Sequence, residues 1–266
     1  MEIRVCIKQV PDFSGGAEVC FDPSTGNLLR EKLHGVFNPL DRNALEAGIR
    51  LRERFGGRVI ALSMGPPQAQ ETLREALVMG ADEAVLISGA ILAGSDTWAT
   101  AYVLSKAILH LAAFDLVLCG AASADGDTAH VGPSLAEFLS LPQVTFATSL
   151  DVDSETGVLH ATKITDAGSY RIACDLPAVV SATAALNTPR SLSLRAVAAA
   201  AQKEVKILTP QDLAIDAAFV GTQGSPTHVE RIYQPVTEAV CTKYLQGEPE
   251  EMAWLLTERL KQEGLL

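Results

Sequence analysis

Two glycine fingerprints are missing from this 266-residue sequence: neither GxGxxG nor GxxxxGK followed by Ser or Thr occurs in it. Their absence removes the usual Rossmann dinucleotide and P-loop readings, which need those glycines to bring main-chain amides onto a pyrophosphate. Cysteine is sparse and scattered. Cys6, Cys20, Cys119, Cys174 and Cys241 form no CxxC pair, so the common zinc and iron–sulfur spacings are excluded and the thiols read as reduced, mostly buried small hydrophobes. Positive charge is in deficit, with 21 Lys and Arg against 32 Asp and Glu and a net charge of −11. A phosphate backbone is bound mainly through Lys and Arg, so nucleic acid is excluded as a partner. No stretch approaches the ~20 apolar residues that span a bilayer, the best being the interrupted run 84–92. The N-terminus begins like a strand, with Lys8 and Asp12 close behind, and lacks the pattern of a secretory signal. The expected location is cytoplasmic, without membrane insertion. No Ser-His-Asp or Cys-His grouping can be argued from spacing, and Asp125 and Asp127 are the one pair of carboxylates that stands out, so no catalytic residue is assigned.

What the sequence does contain is an alternation of short β-branched runs with helical patterns, which predicts parallel strands joined by crossovers. Strands are expected at 3–10, 58–64, 84–88 and 115–119. Between them, helices are expected at 41–55, with Gly56-Gly57 as a stop; from Pro66-Pro67 to Met79, ended by Gly80; and from Asp96 and Thr97, which offer cap oxygens, to about residue 112. A helix at 131–139 follows. The pattern then shortens to runs at 144–152, 159–165, 170–175 and 178–183, which read as an antiparallel β addition and a return strand. From Asn187 onward no core pattern is evident until an amphipathic helix at 250–263, with Met252, Leu255, Leu256 and Leu260 on one face. That helix either docks on its own domain or packs on another subunit. The expected fold class is α/β, an open doubly wound, mostly parallel sheet with a small antiparallel β addition and a C-terminal arm. One domain spans 1–220, and the arm spans 221–266.

Ligands of open α/β sheets bind outside the carboxyl ends of the strands, near the point where strand order reverses. The loops there are Lys8-Gln9-Val10-Pro11-Asp12, Phe37-Asn38-Pro39-Leu40-Asp41, Ser63-Met64-Gly65-Pro66-Pro67 and the long segment from Gly120 to Pro133. The last is the richest. Gly120 and Gly126 permit close backbone approach, Asp125, Asp127 and Thr128 favour turns, and the segment leads into a helix whose unpaired N–H groups suit a phosphate. A simple helix cap on a flexible loop has the same composition.

At this loop a family resemblance emerges. Val5-Cys6-Ile7-Lys8-Gln9-Val10-Pro11-Asp12, Asn38-Pro39, Met64-Gly65-Pro66-Pro67, Gly80-Ala81-Asp82-Glu83-Ala84 and Asp125-Gly126-Asp127-Thr128-Ala129-His130-Val131-Gly132-Pro133 follow the order of electron-transfer flavoprotein beta subunits. Leu141-Pro142-Gln143-Val144-Thr145, Pro177-Ala178-Val179-Val180, Asn187-Thr188-Pro189-Arg190 and Gly224-Ser225-Pro226-Thr227 continue it along nearly the whole chain. The resemblance implies an adenine-nucleotide α-hydrolase-like sheet that holds AMP in ordinary members and a second FAD in the electron-bifurcating branch. Carried onto this sequence, the cofactor contacts fall on Cys6, Asn38, Pro39, Asp41, Met64, Gly120, Asp125, Gly126, Asp127, Thr128, Ala129, His130 and Val131. The motif after the first strand and the DGDT segment are similar to the bifurcating branch, which implies FAD rather than AMP, NADH as donor, and a Gly94-Ser95-Asp96-Thr97 segment near the NADH site. Implied partners are the alpha subunit, an acyl-CoA dehydrogenase-like protein, and ferredoxin or flavodoxin. Leu194 matches the exposed leucine of the family's recognition loop, although Ala198-Ala199-Ala200-Ala201 replaces its lysine-rich continuation. Ala121-Ala122-Ser123 and His130 also depart from the family pattern, removing a cation and an amide donor that would otherwise face the ligand. Outside the family, the same fold accommodates a stand-alone ATP-using enzyme or nucleotide sensor, or a scaffolding subunit with a vestigial site.

Overall fold

A computed structural model of the chain describes residues 1–12, 35–230 and 244–266. It divides into two units, 1–230 and 231–266. Cys20 and Cys241 lie outside the described residues; Cys6, Cys119 and Cys174 are free thiols, the first two buried.

In chain order the first unit contains β1 (Glu2–Cys6), β2 (Gln9–Pro11), β3 (Gly35–Phe37), α1 (Pro39–Phe55), β4 (Arg58–Met64), α2 (Gln70–Met79), β5 (Glu83–Ile87), α3 (Thr97–His110), β6 (Leu116–Gly120) and α4 (Val131–Leu139). It continues with β7 (Gln143–Val152), β8 (Leu159–Thr165), β9 (Gly168–Cys174), β10 (Ala178–Ala182), α5 (Leu194–Ala200), β11 (Val205–Leu208) and the single turn α6 (Gly221–Gly224). Nine strands form one sheet in the order β11-β5-β4-β1-β6-β10-β7-β8-β9. Pairing is parallel from β11 through β7 and antiparallel across β7, β8 and β9, as the sequence pattern anticipates.

Strand alternation explains why both faces are covered. In β1, Ile3 and Val5 enter the core under α1 and α2, while Cys6 enters the second core under α3 and α4. The same alternation runs through β4, where Val59 and Ala61 face one way and Ile60 and Leu62 the other. A strand buried on both faces reads as a continuous apolar run, which is why these segments are plain in the sequence. The helices between them stop where glycine takes a left-handed backbone: Gly56 after α1 (φ 70°) and Gly80 after α2 (φ 127°).

Three departures from expectation have local causes. The first strand ends at Cys6 rather than Val10, because Gln9–Pro11 leaves the main sheet and pairs antiparallel with β3. The segment after Asn187 is not without structure: β11 extends the parallel sheet beside β5. Only Leu208 of that strand is buried, so as an edge strand it carries almost no apolar pattern to read. Residues 221–227, expected to go with the arm, are fastened to the first unit, where Asp96 Oδ2 accepts from Thr227 N at 3.0 Å and Thr227 Oγ1 at 2.7 Å.

The second unit contains α7 (Pro249–Gln262), with proline in its first turn, Glu250 and Glu251 near its positive end and Arg259 and Lys261 near its negative end. Trp254, Leu255 and Leu256 are exposed. Among the described residues no helix is long and apolar enough to cross a membrane.

Candidate functional site

The chain visits β1, β4 and β5 in one direction across the sheet, then returns to place β6 on the other side of β1. Strand order therefore reverses between β1 and β6, and the crevice beyond their carboxyl ends is the expected ligand position. Cys6 ends β1, Met64 ends β4 and Gly120 ends β6.

Asp41, in the first turn of α1, spans that crevice. Its Oδ2 accepts from Lys8 N at 2.8 Å and its Oδ1 from Gly120 N at 2.9 Å, joining the exits of β1 and β6. The carboxylate is 5% exposed. Burial pushes its pKa up to about 7, against the pull of the Lys8 amide, Asn38 and the Gly120 amide. Gly120 is required here for space, because a β-carbon would lie 2.3 Å from Asp41 Oδ1 and 2.9 Å from Leu40 Cβ.

Asn38 precedes α1 and is 1% exposed. Pro39 follows it and keeps it extended (φ −55°, ψ 124°). Its amide reaches sideways into the long loop, donating from Nδ2 to Ala122 O at 3.0 Å and accepting at Oδ1 from Ala124 N at 3.1 Å. The backbone carbonyl of Lys8 accepts from Asn38 N at 3.1 Å. The loop after β6 is thus bolted to the start of α1 and the end of β1.

Beyond this clamp the loop is open to solvent at Gly126, Asp127, Thr128 and His130. Asp127 (φ 46°) and Ala129 (φ 57°) adopt left-handed backbone on either side of Thr128, a sparsely populated state for residues with side chains. The amides of Thr128, Ala129, His130 and Val131 donate to no acceptor among the described residues. They lead into α4, whose first turn presents further unpaired N–H groups and the positive end of its dipole. Gly132 lets α4 sit close on the sheet, since a β-carbon there would lie 3.1 Å from Cys119 Sγ. This donor set, neutral and main-chain, suits a phosphate-bearing ligand.

The residues expected to form the site therefore divide into two groups. Cys6, Asn38, Asp41 and Gly120 are internal: they shape and lock the crevice. Burial, followed by the nearby Asp41 charge, pushes the Cys6 thiol up to about 12, and burial also raises Cys119 well above its ordinary value, so both remain protonated small hydrophobes. Met64 is half-buried against the core under α3, and Pro39 is exposed at the start of α1. Gly126 to Val131 form the open part, and the Asp125 side chain is sheltered beside it. Leu194 stands elsewhere, 89% exposed at the start of α5, which is capped by Ser193 and packs on α2. Asp96 of the 94–97 segment caps α3 by accepting from Ala99 N at 3.0 Å.

One participant escaped selection from the sequence. Lys8 brings its Nζ to 2.6 Å from Asp125 Oδ1 and 3.3 Å from Ser123 Oγ. Lys8 thus brings a cation from the loop after β1 to a loop whose Ala121-Ala122-Ser123 segment carries none. A search for a positive group at the carboxyl end of any strand would have found it.

Residues 25–213 match the family described as "Electron transfer flavoprotein domain". The chain is similar to "Electron transfer flavoprotein subunit beta" of Thermoanaerobacterium thermosaccharolyticum, at 44% identity over 98% of both chains. It is similar end to end, at 37% identity, to "Caffeyl-CoA reductase-Etf complex subunit CarD" of Acetobacterium woodii, and at 35% to "Acryloyl-CoA reductase electron transfer subunit gamma" of Anaerotignum propionicum.

Proposed function

The chain belongs to the electron transfer flavoprotein family, and from that premise we propose that it is the beta subunit of a heterodimer that carries electrons from NADH to an acyl-CoA-processing partner by flavin-based bifurcation. In this reading the chain binds FAD at the carboxyl edge of its sheet, and a low-potential ferredoxin or flavodoxin takes the second electron. The complex works in the cytoplasm. The full-length likeness to subunits named for caffeyl-CoA and acryloyl-CoA reductase systems supports the acyl-CoA partner.

The observation that carries the reading is the loop at 120–131, clamped by Asn38 and Asp41 while its amides from Thr128 to Val131 find no acceptor among the described residues. The fit is chemical: main-chain donors at a helix start can hold a phosphate in the absence of a glycine fingerprint or a P-loop lysine. A bound flavin would supply the one- and two-electron chemistry. The chain's own tasks are to grip the adenylate portion with these amides and Thr128, to enclose it between the strand ends at Cys6 and Met64, and to keep the crevice from closing through Asp41. Leu194 on α5 is the proposed contact for the dehydrogenase-like partner, and the exposed apolar residues of α7 support an arm that packs on the alpha subunit.

The test is to identify and count the nucleotides released from the purified heterodimer, for the wild type and for Asp127→Ala and Thr128→Val. Two FAD per heterodimer are expected, with the variants losing one and retaining the flavin of the larger subunit. One FAD plus AMP would reduce the protein to a simple carrier. Unchanged occupancy in both variants would remove the loop from the site.

A further inference from the structure

The open loop presents an electrostatic difficulty for the ligand just proposed. Between Gly120 and Pro133 there is no Lys or Arg, whereas Asp125 and Asp127 are both there, in a chain of net charge −11. From the loop itself a phosphate meets two carboxylates, main-chain amides and the His130 imidazole, with no Lys or Arg. Among the described residues, the ammonium that reaches the loop is that of Lys8, at 2.6 Å from Asp125 Oδ1 and 3.3 Å from Ser123 Oγ.

The two ends of Lys8 are held very differently. Its backbone is fixed from both sides, N–H to Asp41 at 2.8 Å and C=O from Asn38 N at 3.1 Å, so the root of the side chain sits at the crevice. Its side chain is 41% exposed, while that of Asp125 is 9% exposed. Asp125 is therefore the sheltered member of the pair, and the ammonium lies on the solvent side, with hydrogen-bonding capacity beyond the two contacts it makes. A buried carboxylate that aims an exposed ammonium at a phosphate-binding loop performs the work that the P-loop assigns to a lysine within its own motif.

Resting on the nucleotide-site reading above, we infer that Lys8 is the charge-neutralising residue for the ligand's phosphate, and that Asp125 is a positioning residue that aims its ammonium. The consequence is specific: Lys8 recognises the phosphate and contributes nothing to recognition of the nucleoside.

AMP and adenosine separate these contributions. The full chain is co-purified with its large subunit, stripped of the nucleotide in this site, and titrated with each probe by calorimetry. Lys8→Met should weaken AMP binding by about tenfold or more, the size expected for one charge-assisted contact, with adenosine affinity unchanged. Lys8→Arg keeps the charge and should hold AMP within about threefold of the wild type. Equal loss of AMP and adenosine in Lys8→Met would make the lysine structural and overturn the inference, as would unchanged AMP affinity. If the stripped wild-type complex binds neither probe, the nucleotide site itself is refuted, an outcome distinct from one in which the wild type binds both and the variants do not differ from it.

Discussion

The two edges of the parallel sheet solve opposite problems with the same kinds of side chain. At the amino edge, charges pair with each other and with the strands themselves. Arg58 bridges Glu2 at 3.0 Å and Glu83 at 2.9 Å, Asp115 accepts from Glu2 N at 2.7 Å, and Asp82 takes both Arg52 at 2.8 Å and Val59 N at 2.8 Å. Beneath them Arg4, fully buried, donates from Nη2 to Leu111 O at 3.2 Å and Ala113 O at 3.0 Å, satisfying carbonyls where α3 ends. At the carboxyl edge, Lys8, Asn38 and Asp41 reach outward instead, into loops, and leave main-chain donors without acceptors among the described residues. One edge is closed by dense pairing, although the buried Nε and Nη1 of Arg4 make no hydrogen bond among the described residues; the other is held open by partial pairing. Binding sites belong at the second kind, because a ligand can only take donors that the fold has not used.

The comparison breaks most severely at Arg4. Arg4→Ala should cost about 2–4 kcal/mol in urea unfolding, since it empties a packed volume and strands the two carbonyls. Nucleotide content of the folded fraction should not change. Loss of nucleotide in proportion to stability would mean that the two edges are coupled rather than separate.

A smaller effect comes from Asp41. Its folded pKa of about 7 lies above the ordinary carboxylate value of 3.8, so the stability tied to its protonation is fully present at low pH and is lost as pH rises through about 7. The unfolding free energy of the wild type should therefore decline between about pH 4 and 7, by up to ~1.4 kcal/mol per pH unit, and level off above, relative to the slope for Asp41→Asn. Parallel slopes for the two proteins would show that Asp41 is already ionised throughout and belongs energetically with the paired amino edge.

The smallest effect should be at Glu83. Its partner Arg58 and Glu83 itself are both about half exposed (51% and 48%), and solvent screens such pairs. Glu83→Ala should leave stability within about 0.5 kcal/mol of the wild type in the same assay. A loss comparable with that of Arg4→Ala would mean that the amino edge acts as one network rather than as a buried post with a solvated rim.

How much of this was legible follows from what each feature depends on. Strands β4, β8 and β10 and helices α1 and α4 show in the sequence within a residue or two, because their apolar patterns and their glycine or proline stops are local. The strand β11 does not show, since an edge strand with one buried residue has no pattern. In the site, the glycines and acids of the loop at 120–131 show in the sequence, whereas the bonds that tie Asp41 and Asn38 to that loop do not. Lys8 was passed over because its partner lies far along the chain.

The sequence by itself determined the succession of elements, the two-faced burial of the sheet and the family, because periodicity, caps and motifs are properties of neighbouring residues. Only the tertiary structure decided which loops meet. Lys8 and Asp125 are separated by 117 residues, Asn38 and Ala122 by 84, and Asp41 and Gly120 by 79. They come together because β6 inserts beside β1, and that strand order is fixed by packing both faces of one sheet at once, which no local stretch of residues encodes.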